Sequence, residues 1–410
     1  MLGNLFFMTG TLTLSLNFVR FGGLAISDWF YFASLALAIL STLLKDKDNR
    51  FVWTRNRLIP FALVILIGAL LSMVNATSLD LAFIEIIQQI YTLTLFVSLI
   101  WLMVKRGQVE TIITAFILSG VFSTGIALWD FATGDRLGPL FSNTLDSNLW
   151  YRYAGTLGHP NKFGYFLVLT SLLTLVRLAI PVASFWKRFV WLIVLVVQLF
   201  GVYLSGSVTA YIGLLVGGVA FLWADKPLHR FLGRVGCALS LPVSILVIAV
   251  ILFNSGISDI ADEEFIIERS LDRVQTITAE SRLLVYDQAI RQIARSPIIG
   301  ASYDQLSTSG IEKYLRSFDT TVHNILLQIW YAGGLFAFLG WLAIYIYLLS
   351  LVVIIFRQSP NDTLKLIELG LAVGVLSILI MDQFQDSIYP REKWLVIGLF
   401  LGLVWDIKPQ

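Results

Sequence analysis

Long apolar runs are the feature that most constrains how this chain can fold. Stretches of about 20 mainly apolar residues recur along it, and a helix of that length crosses the hydrocarbon core of a bilayer. Within a bilayer a helix satisfies its own backbone hydrogen bonds. The chain is 57% hydrophobic and 14% charged, whereas soluble domains carry about 25% charged residues. The sequence therefore predicts an all-α polytopic membrane protein.

The apolar runs predict about 12 transmembrane helices. Between spans 188–205 and 207–224, only Ser205, Gly206 and Ser207 remain as the connection, which predicts a tight helical hairpin. If the two spans formed one helix, the final spans would reverse their orientation. The predicted spans cover residues 3–20, 26–44, 58–75, 81–104, 109–130, 161–180, 188–205, 207–224, 236–254, 335–357, 364–382 and 393–407.

Basic residues fall in alternate connections, which predicts an orientation. Short loops rich in Lys and Arg face the cytoplasm, and the connections 76–80 and 205–207 contain neither residue. We therefore expect both termini in the cytoplasm and segments 131–160 and 255–334 outside. The basic residues are Lys45, Lys47, Arg50, Arg55 and Arg57, then Lys105 and Arg106, then Arg177, Lys187 and Arg188, then Lys226, Arg230 and Arg234, then Arg357 and Lys365.

The spans divide the chain into three predicted parts. Residues 1–254 carry transmembrane helices 1–9, residues 255–334 form an extracytoplasmic loop, and residues 335–410 carry helices 10–12. Loops longer than about 15 residues are usually functional or disordered. Two helical patterns inside this loop, at 281–295 and at about 321–331, indicate order.

Each loop helix has a stop signal in the sequence. Pro297 and Gly300 follow the first, and Gly333 and Gly334 follow the second. Proline and glycine are typical of helix ends. We therefore expect a long extracytoplasmic loop containing short amphipathic helices.

Arg282 occupies an unusual position in the first of these helices. A rotation of about 100° per residue puts Arg291 and Arg295 on the polar face, as expected for solvated side chains, but directs Arg282 into the apolar cluster. An unpaired charge there is costly, so Arg282 has to find an anion or another acceptor. The alternatives are a bound ligand, a structural ion pair with an acid such as Glu280 or Asp304, or snorkelling of the side chain from the helix end to water.

The segment before the sixth span combines a cation with a predicted helix start. Asn161 follows Pro160 and is a predicted N-cap, so helix-terminal amides would face the outer surface. Arg152 lies a few residues upstream. Arg offers bidentate donors to phosphate, so the segment predicts a phosphate site. The alternative is an ordinary membrane re-entry turn with Arg152 paired to Asp146.

Two of the three histidines, His159 and His323, lie in predicted outer segments. By the same rotation His323 lies at the edge of the apolar face of the second loop helix. A neutral imidazole there could take a proton from a hydroxyl nucleophile, or it could be structural. Asp382 lies at an outer helix end, where we expect it to partner an arginine.

Several functional classes find no support in the sequence. A net charge of +2 does not indicate a nucleic-acid partner. The single cysteine, Cys237, excludes an intrachain disulfide, and the acidic run 262–264 is expected to be solvated. Motifs for nucleotides and metals are absent, so we expect no metal and no cofactor.

Three motifs together resemble the O-antigen ligase and polymerase superfamily. They occur in order across roughly residues 150–400. The motifs read Arg152-x-x-Gly155-Thr-x-Gly-His-Pro160-Asn161-x-x-Gly164, then Ser281-Arg282 with Ser296-Pro297-x-x-Gly300, and then His323-Asn324-x-x-Leu327-Gln328 with Gly333-Gly334.

The resemblance implies a glycosyltransferase in the bacterial inner membrane. Such enzymes transfer a glycan from an undecaprenyl-diphosphate carrier to an acceptor hydroxyl of a glycan or glycolipid on the extracytoplasmic face, by a reaction thought to be metal-independent and inverting. It implies that Arg152 and Arg282 contact the diphosphate with His159 and Asn161, and that His323 activates the acceptor. Asn324, Gln328 and Asp382 would support the site.

One motif departs from the family pattern. Many relatives carry an arginine after the Ser/Thr-Gly-Ser turn, where this chain has Val208 and Thr209. Either another residue takes the place of that arginine in binding the headgroup, or this chain recognises a different donor. The sequence favours a ligase slightly over a polymerase that joins lipid-linked repeat units. A lipid or polysaccharide flippase is the alternative of another class, and inverted repeats would be expected for it.

Overall fold

The computed structural model describes residues 2–16, 20–21, 24–44, 56–133, 152–181, 184–224, 277–305, 322–358, 362–385 and 388–404. Helices dominate these ranges, and two-residue strands Arg20–Phe21 and Leu24–Ala25 form one antiparallel pairing. The helices are α1 Leu2–Leu12, α2 Ile26–Leu44, α3 Ile59–Ser72, α4 Leu79–Lys105, α5 Val109–Thr133, α6 Pro160–Ala179, α7 Phe185–Ser205, α8 Val208–Ala224, α9 Ile277–Arg295, α10 Ile325–Phe356, α11 Thr363–Met381 and α12 Arg391–Val404.

Within the described ranges, six helices are long and apolar enough to cross a membrane: α4, α5, α6, α7, α10 and α11. Four shorter apolar helices cover Leu2–Leu12, Ile26–Ser41, Ile59–Asn75 and Val208–Ala224. The all-α membrane fold is thus confirmed, and the count of about 12 spans stays a prediction. The predicted span 236–254 lies outside the described residues.

The first helix is shorter than its predicted span, 3–20. Helix α1 ends at Leu12 and residues 13–15 form a turn. The backbone amide of Ser15 donates to Ser119 Oγ on α5 at 3.1 Å. This tertiary hydrogen bond takes the amide out of the helical pattern, which hydropathy alone does not reveal.

The predicted hairpin between α7 and α8 is present. Gly206 follows α7 with φ 55°, a left-handed conformation that favours glycine, and α8 begins at Val208. The turn brings Ser205 and Ser207 to one end of the bundle.

Helix α10 is broken at Gly334, where φ is 69° and ψ is −166°. The rings of Trp330 and Phe338 stack across the break with centroids 4.6 Å apart. The Ile325 amide and the Tyr345 hydroxyl both bond to Asp382, although an unbroken helix would separate these residues by about 30 Å. Residues 325–333 therefore fold back along the span that follows.

This fold-back is the second short helix predicted from the loop sequence. It begins after the N-cap Asn324 rather than near Thr321. A Cβ on Gly334 would overlap the carbonyl oxygen of Ile298, and the Leu335 amide donates to that carbonyl at 3.1 Å. Glycine is required here by both backbone conformation and space.

Helix α9 confirms the first predicted loop helix and packs against the start of α10. Val285 and Ala289 are buried with Val322 in a small apolar cluster. The buried positions of α9 are spaced by four residues, at Val285, Ala289 and Ile293, and Ile290 beside them is 55% exposed. Arg291 pairs with Asp287 at 2.8 Å on the exposed face, as expected for a solvated side chain.

Contacts gather the predicted outer connections at one end of the bundle. Asn75 Nδ2 donates to the Gly300 carbonyl at 2.7 Å, and Arg152 contacts Ser205. At the other end, Arg106 donates to Asn4 Oδ1 at 2.8 Å. Which end faces the cytoplasm stays a prediction, as do the three domain boundaries.

Candidate active site

The start of α6 forms the first part of the site. His159 is the N-cap, and its Nδ1 accepts from the Asn161 amide at 3.1 Å. The prediction of Asn161 as the N-cap was wrong, because Pro160 occupies the first helical position, where its missing N–H costs nothing. Asn161 therefore uses its side chain for another contact.

That contact is with Arg152. Its guanidinium donates through Nη2 to Asn161 Oδ1 and through Nε to the Ser205 carbonyl at 2.8 Å. A Cβ on Gly206 would lie 3.3 Å from Arg152 Nε, so the side chain lies across the hairpin turn. Asp146, the alternative partner, lies outside the described residues.

The position of Arg152 is relevant to the arginine that this chain lacks after the hairpin turn, where it has Val208. In relatives, as the resemblance implies, an arginine follows this hairpin turn. Here Arg152 lies on the same turn from the α6 side. A guanidinium is thus present at the hairpin although residue 208 is valine.

His323 lies at the N-terminal end of the fold-back helix and is half-buried. Tyr286 of α9 donates its hydroxyl to the His323 carbonyl at 3.1 Å. Asn324 caps the helix by accepting from the Leu327 amide at 3.0 Å and donates to Gln383 Oε1 at 3.2 Å. Gln328, one turn further on, is 2% exposed.

Asp382 pairs with a lysine, not with the arginine that the sequence predicted. Lys393 Nζ donates to Asp382 Oδ2 at 2.6 Å, and the side chains are 1% and 0% exposed. Tyr345 donates to the same oxygen at 2.6 Å, and Tyr165 to Oδ1 at 3.3 Å. We call these four residues the Asp382 cluster.

Sequence reasoning missed three members of this cluster. In the sequence, Lys393 is the first residue of a predicted apolar span, and Tyr165 and Tyr345 lie within predicted spans. Lys393 lies 5.1 Å from the centroid of the Trp341 ring and 5.4 Å from that of Trp394. The one available signal was a charged residue in a segment otherwise suited to lipid.

The structure connects these parts to one another. Asn161 and Tyr165 are one turn apart on α6, about 6 Å along its axis, so the Arg152 contact lies near the Asp382 cluster. The Asp382 carbonyl accepts the Ile325 amide at 3.0 Å, two residues after His323. Arg282 lies on α9, the helix that also carries Tyr286, and its side chain lies outside the described part.

Asp304, the alternative partner of Arg282, anchors a different turn. Its Oδ2 accepts from the Thr77 amide and the Ser78 amide, each at 2.9 Å, and from Thr77 Oγ1 at 2.6 Å. Burial alone would raise the pKa of Asp304, but hydrogen bonds from Ser302, Thr77 and Ser78 outweigh it and hold that pKa below its usual range. The carboxylate thus fastens the loop to the start of α4.

No group of three or more His, Cys, Asp or Glu side chains suited to a metal lies within the described ranges. The acidic run 262–264 falls outside them. Among the cations described at the predicted outer end, Arg152 donates to an amide oxygen and a carbonyl, whereas Lys393 pairs with Asp382 and Arg391 pairs with Asp28. The planar guanidinium of Arg152 has the geometry for a diphosphate.

Comparison with known families supports the predicted resemblance. Residues 193–342 match the family model described as O-antigen ligase. The matched range includes the α7–α8 hairpin, Arg282 and His323, whereas Arg152 and Asp382 lie outside it. The predicted resemblance to the O-antigen ligase superfamily is confirmed over this range, and the match supports a membrane enzyme of the ligase or polymerase type. No curated protein matches the chain.

Proposed function

We propose that this chain is a membrane glycosyltransferase of the O-antigen ligase type. It would transfer a glycan from an undecaprenyl-diphosphate carrier to a sugar hydroxyl, on lipid A core or a similar acceptor, at the extracytoplasmic face. One observation carries the proposal: the Asp382–Gln383 turn bonds to the start of the His323 helix, while Asp382 also bonds to the helix that positions Arg152.

The diphosphate is the part of the donor that the site has to stabilise. In the proposed reaction the acceptor oxygen attacks the anomeric carbon, the bond from that carbon to the diphosphate breaks, and the configuration inverts. Negative charge develops on the departing diphosphate. Arg152 and Arg282, with Asn161, His159 and the N-terminal amides of α6, would stabilise that charge without a metal.

His323 is the proposed general base. A neutral imidazole has a free ring nitrogen that can accept the acceptor's hydroxyl proton. Its backbone is held on both sides, by Tyr286 and through Asn324. Asn324 and Gln328 would fix the helix that carries it.

A reconstituted transfer assay tests the proposal. Purified protein in liposomes receives a lipid-diphosphate glycan and each candidate acceptor in turn. We expect transfer to continue when a chelator is present and to be lost in Arg282→Ala. Arg291→Ala, on the exposed face of the same helix, should retain activity. Full activity in Arg282→Ala, or loss with chelator and recovery with a divalent ion, would contradict the assignment.

The same assay separates a ligase from a polymerase. A ligase adds one donor glycan to a core acceptor, and a polymerase lengthens a second lipid-linked repeat unit. Product length on a gel distinguishes the two. A flippase would move the labelled donor between leaflets without forming a new glycosidic bond.

The proposed orientation has its own test. Ile298→Cys, at an exposed position beside Gly334, and Arg357→Cys, at the predicted cytoplasmic end, are made in a Cys237→Ser background. An impermeant thiol reagent applied from outside should label only the first. Labelling of the first only after permeabilisation would reverse the topology and contradict cytoplasmic termini.

A further inference from the structure

The Asp382 cluster places an ion pair and two tyrosine hydroxyl groups in a buried environment. Asp382 and Lys393 are 0% and 1% exposed, and burying an ion pair often costs as much free energy as the attraction returns. Apolar residues of similar volume are frequently as stable in such a place. The pair therefore calls for an explanation other than stability.

Asp382 acts through its backbone as well as its side chain. The residue follows the last turn of α11, and its carbonyl accepts the Ile325 amide at 3.0 Å. The next residue, Gln383, accepts from Asn324 Nδ2 at 3.2 Å. The position of His323 thus depends on where the 382–383 turn is held.

Side chains from three elements donate hydrogen bonds to the Asp382 carboxylate and thereby hold that turn in place. Lys393 reaches it from α12, Tyr345 from the span after Gly334, and Tyr165 from α6, one turn below Asn161. The His323 carbonyl is bonded in turn to Tyr286 of α9. The carboxylate thus contacts α6, α12 and the span after Gly334 directly, and it is connected to His323 and α9 through the backbone of the 382–383 turn.

We propose that Lys393 and Tyr345 are positioning residues, which fix the Asp382–Gln383 turn and thereby the distance between His323 and the diphosphate-binding arginines. The inference rests on the proposed transfer reaction, because it gives the cluster a part in that reaction. Neither side chain contacts the donor or the acceptor in this proposal. Their effect reaches the reaction through Asp382.

The expected consequence is a loss in rate rather than in binding. Displacement of a reacting group by about 1 Å can lower a rate on the order of 100-fold. The guanidinium of Arg152 keeps its own anchors on Ser205 and Asn161. A loosened turn should therefore lower kcat while leaving the KM for the donor nearly unchanged.

Tyr345→Phe is the first test, because it removes one hydroxyl and leaves the ion pair. We expect kcat to fall about tenfold, with the donor KM within about twofold. Tyr347→Phe is the matched control on the same helix, since the Tyr347 ring packs against Phe61 away from the cluster. It should keep the parent kcat.

Lys393 is tested by a pair of variants. Lys393→Met leaves Asp382 buried without this cation and should lower kcat more than Tyr345→Phe. Lys393→Arg restores a cation between Trp341 and Trp394 and should recover part of the loss. If Lys393→Met does not fold, Tyr345→Phe still decides the proposal.

Hydrogen exchange measures the positioning directly. The peptide covering residues 322–331 contains the Ile325 amide bonded to Asp382, and we expect it to exchange faster in Tyr345→Phe and Lys393→Met. A peptide from the middle of α7 should be unchanged. A merely structural cluster would instead alter exchange throughout the bundle.

The outcomes separate this inference from the proposed function. Parent kcat and parent exchange in Tyr345→Phe would overturn the positioning role, even with an active wild-type enzyme. A fall in kcat that only follows the loss of folded protein would do the same. If the wild-type protein transfers glycan to no acceptor, the proposed function fails, and the exchange of residues 322–331 alone decides whether the cluster positions His323.

Discussion

Arg152 and Lys393 are cations at the same end of the bundle, but they are held in opposite ways. Arg152 is partly buried and donates to an amide oxygen and a backbone carbonyl, which are neutral acceptors. Lys393 is 1% exposed and donates to a carboxylate. The Arg152 guanidinium bridges two elements from a half-buried position, whereas Lys393 and Asp382 form a fully buried ion pair. In the proposed mechanism the first region carries chemistry and the second positions it.

The residues that would carry the chemistry should be separable from those that hold the fold. A substitution at His323 or Arg152 is expected to change transfer and leave stability nearly intact. A substitution at the break in α10 or at Asp304 is expected to change stability first.

His323→Ala should have the largest effect on transfer. Loss of a general base commonly lowers a rate by about 10²–10⁴, so we expect kcat to fall about 1,000-fold while the thermal midpoint in detergent changes little. The measurement is initial transfer rate in liposomes at saturating donor. His229→Ala, in a predicted cytoplasmic loop, is the matched control. Parent activity in His323→Ala would remove the histidine from the mechanism.

Gly334→Ala should have the largest effect on stability. A side chain at φ 69° is strained, and its Cβ would overlap the Ile298 carbonyl. Backbone strain of this kind costs about 1–3 kcal/mol, and the overlap adds to it. We expect a clear fall in the thermal midpoint, measured by size-exclusion after heating. Gly125→Ala, with no atom within 4 Å of the added Cβ, should not destabilise.

The break at Gly334 also shows which features of the fold can be predicted from the sequence. Apolar runs predicted most of the described helices, and the Gly333–Gly334 pair predicted where the short loop helix ends. Glycine and proline act locally, so their signals are readable in one chain. The fold-back that brings Ile325 and Tyr345 to one carboxylate depends on tertiary contacts with Ile298 and has no local signal.

The candidate site likewise contains residues that could be predicted from the sequence and residues that could not. Arg152 and His323 could be proposed because a cation just before a predicted helix start and a histidine at the edge of an apolar helix face are local signals. The partner of Asp382 could not be predicted, because the packing of α11 against α12 decides it and brings Lys393 rather than an arginine to the carboxylate. His159 rather than Asn161 is the N-cap of α6, because Pro160 occupies the first helical position.

Arg152→Lys should have a smaller effect, on donor recognition. Lysine keeps the charge but not the planar fork that matches a diphosphate, and it cannot reproduce both the Ser205 and the Asn161 contacts. We expect kcat/KM for the donor to fall about tenfold, or about 1.4 kcal/mol, with an unchanged thermal midpoint. Arg177→Lys, which disturbs an ion pair with Glu110 at the other end of α6, should retain donor recognition. An equal loss in both variants would contradict a diphosphate role for Arg152.

The smallest expected effect is that of Asp304→Asn, and it should depend on pH. The hydrogen bonds at Thr77 and Ser78 hold the pKa of Asp304 below its usual range, so the carboxylate stabilises the fold above the unfolded pKa of about 3.9. That stabilisation is lost as pH falls through the lowered pKa. The asparagine variant should be less stable by about 1 kcal/mol at pH 7, and the difference should shrink below about pH 4. Asp287→Asn, on the exposed face of α9, is the control in thermal unfolding from pH 7 to pH 3. A difference that stays constant over that range would mean that the charge of Asp304 does not fasten the loop to α4.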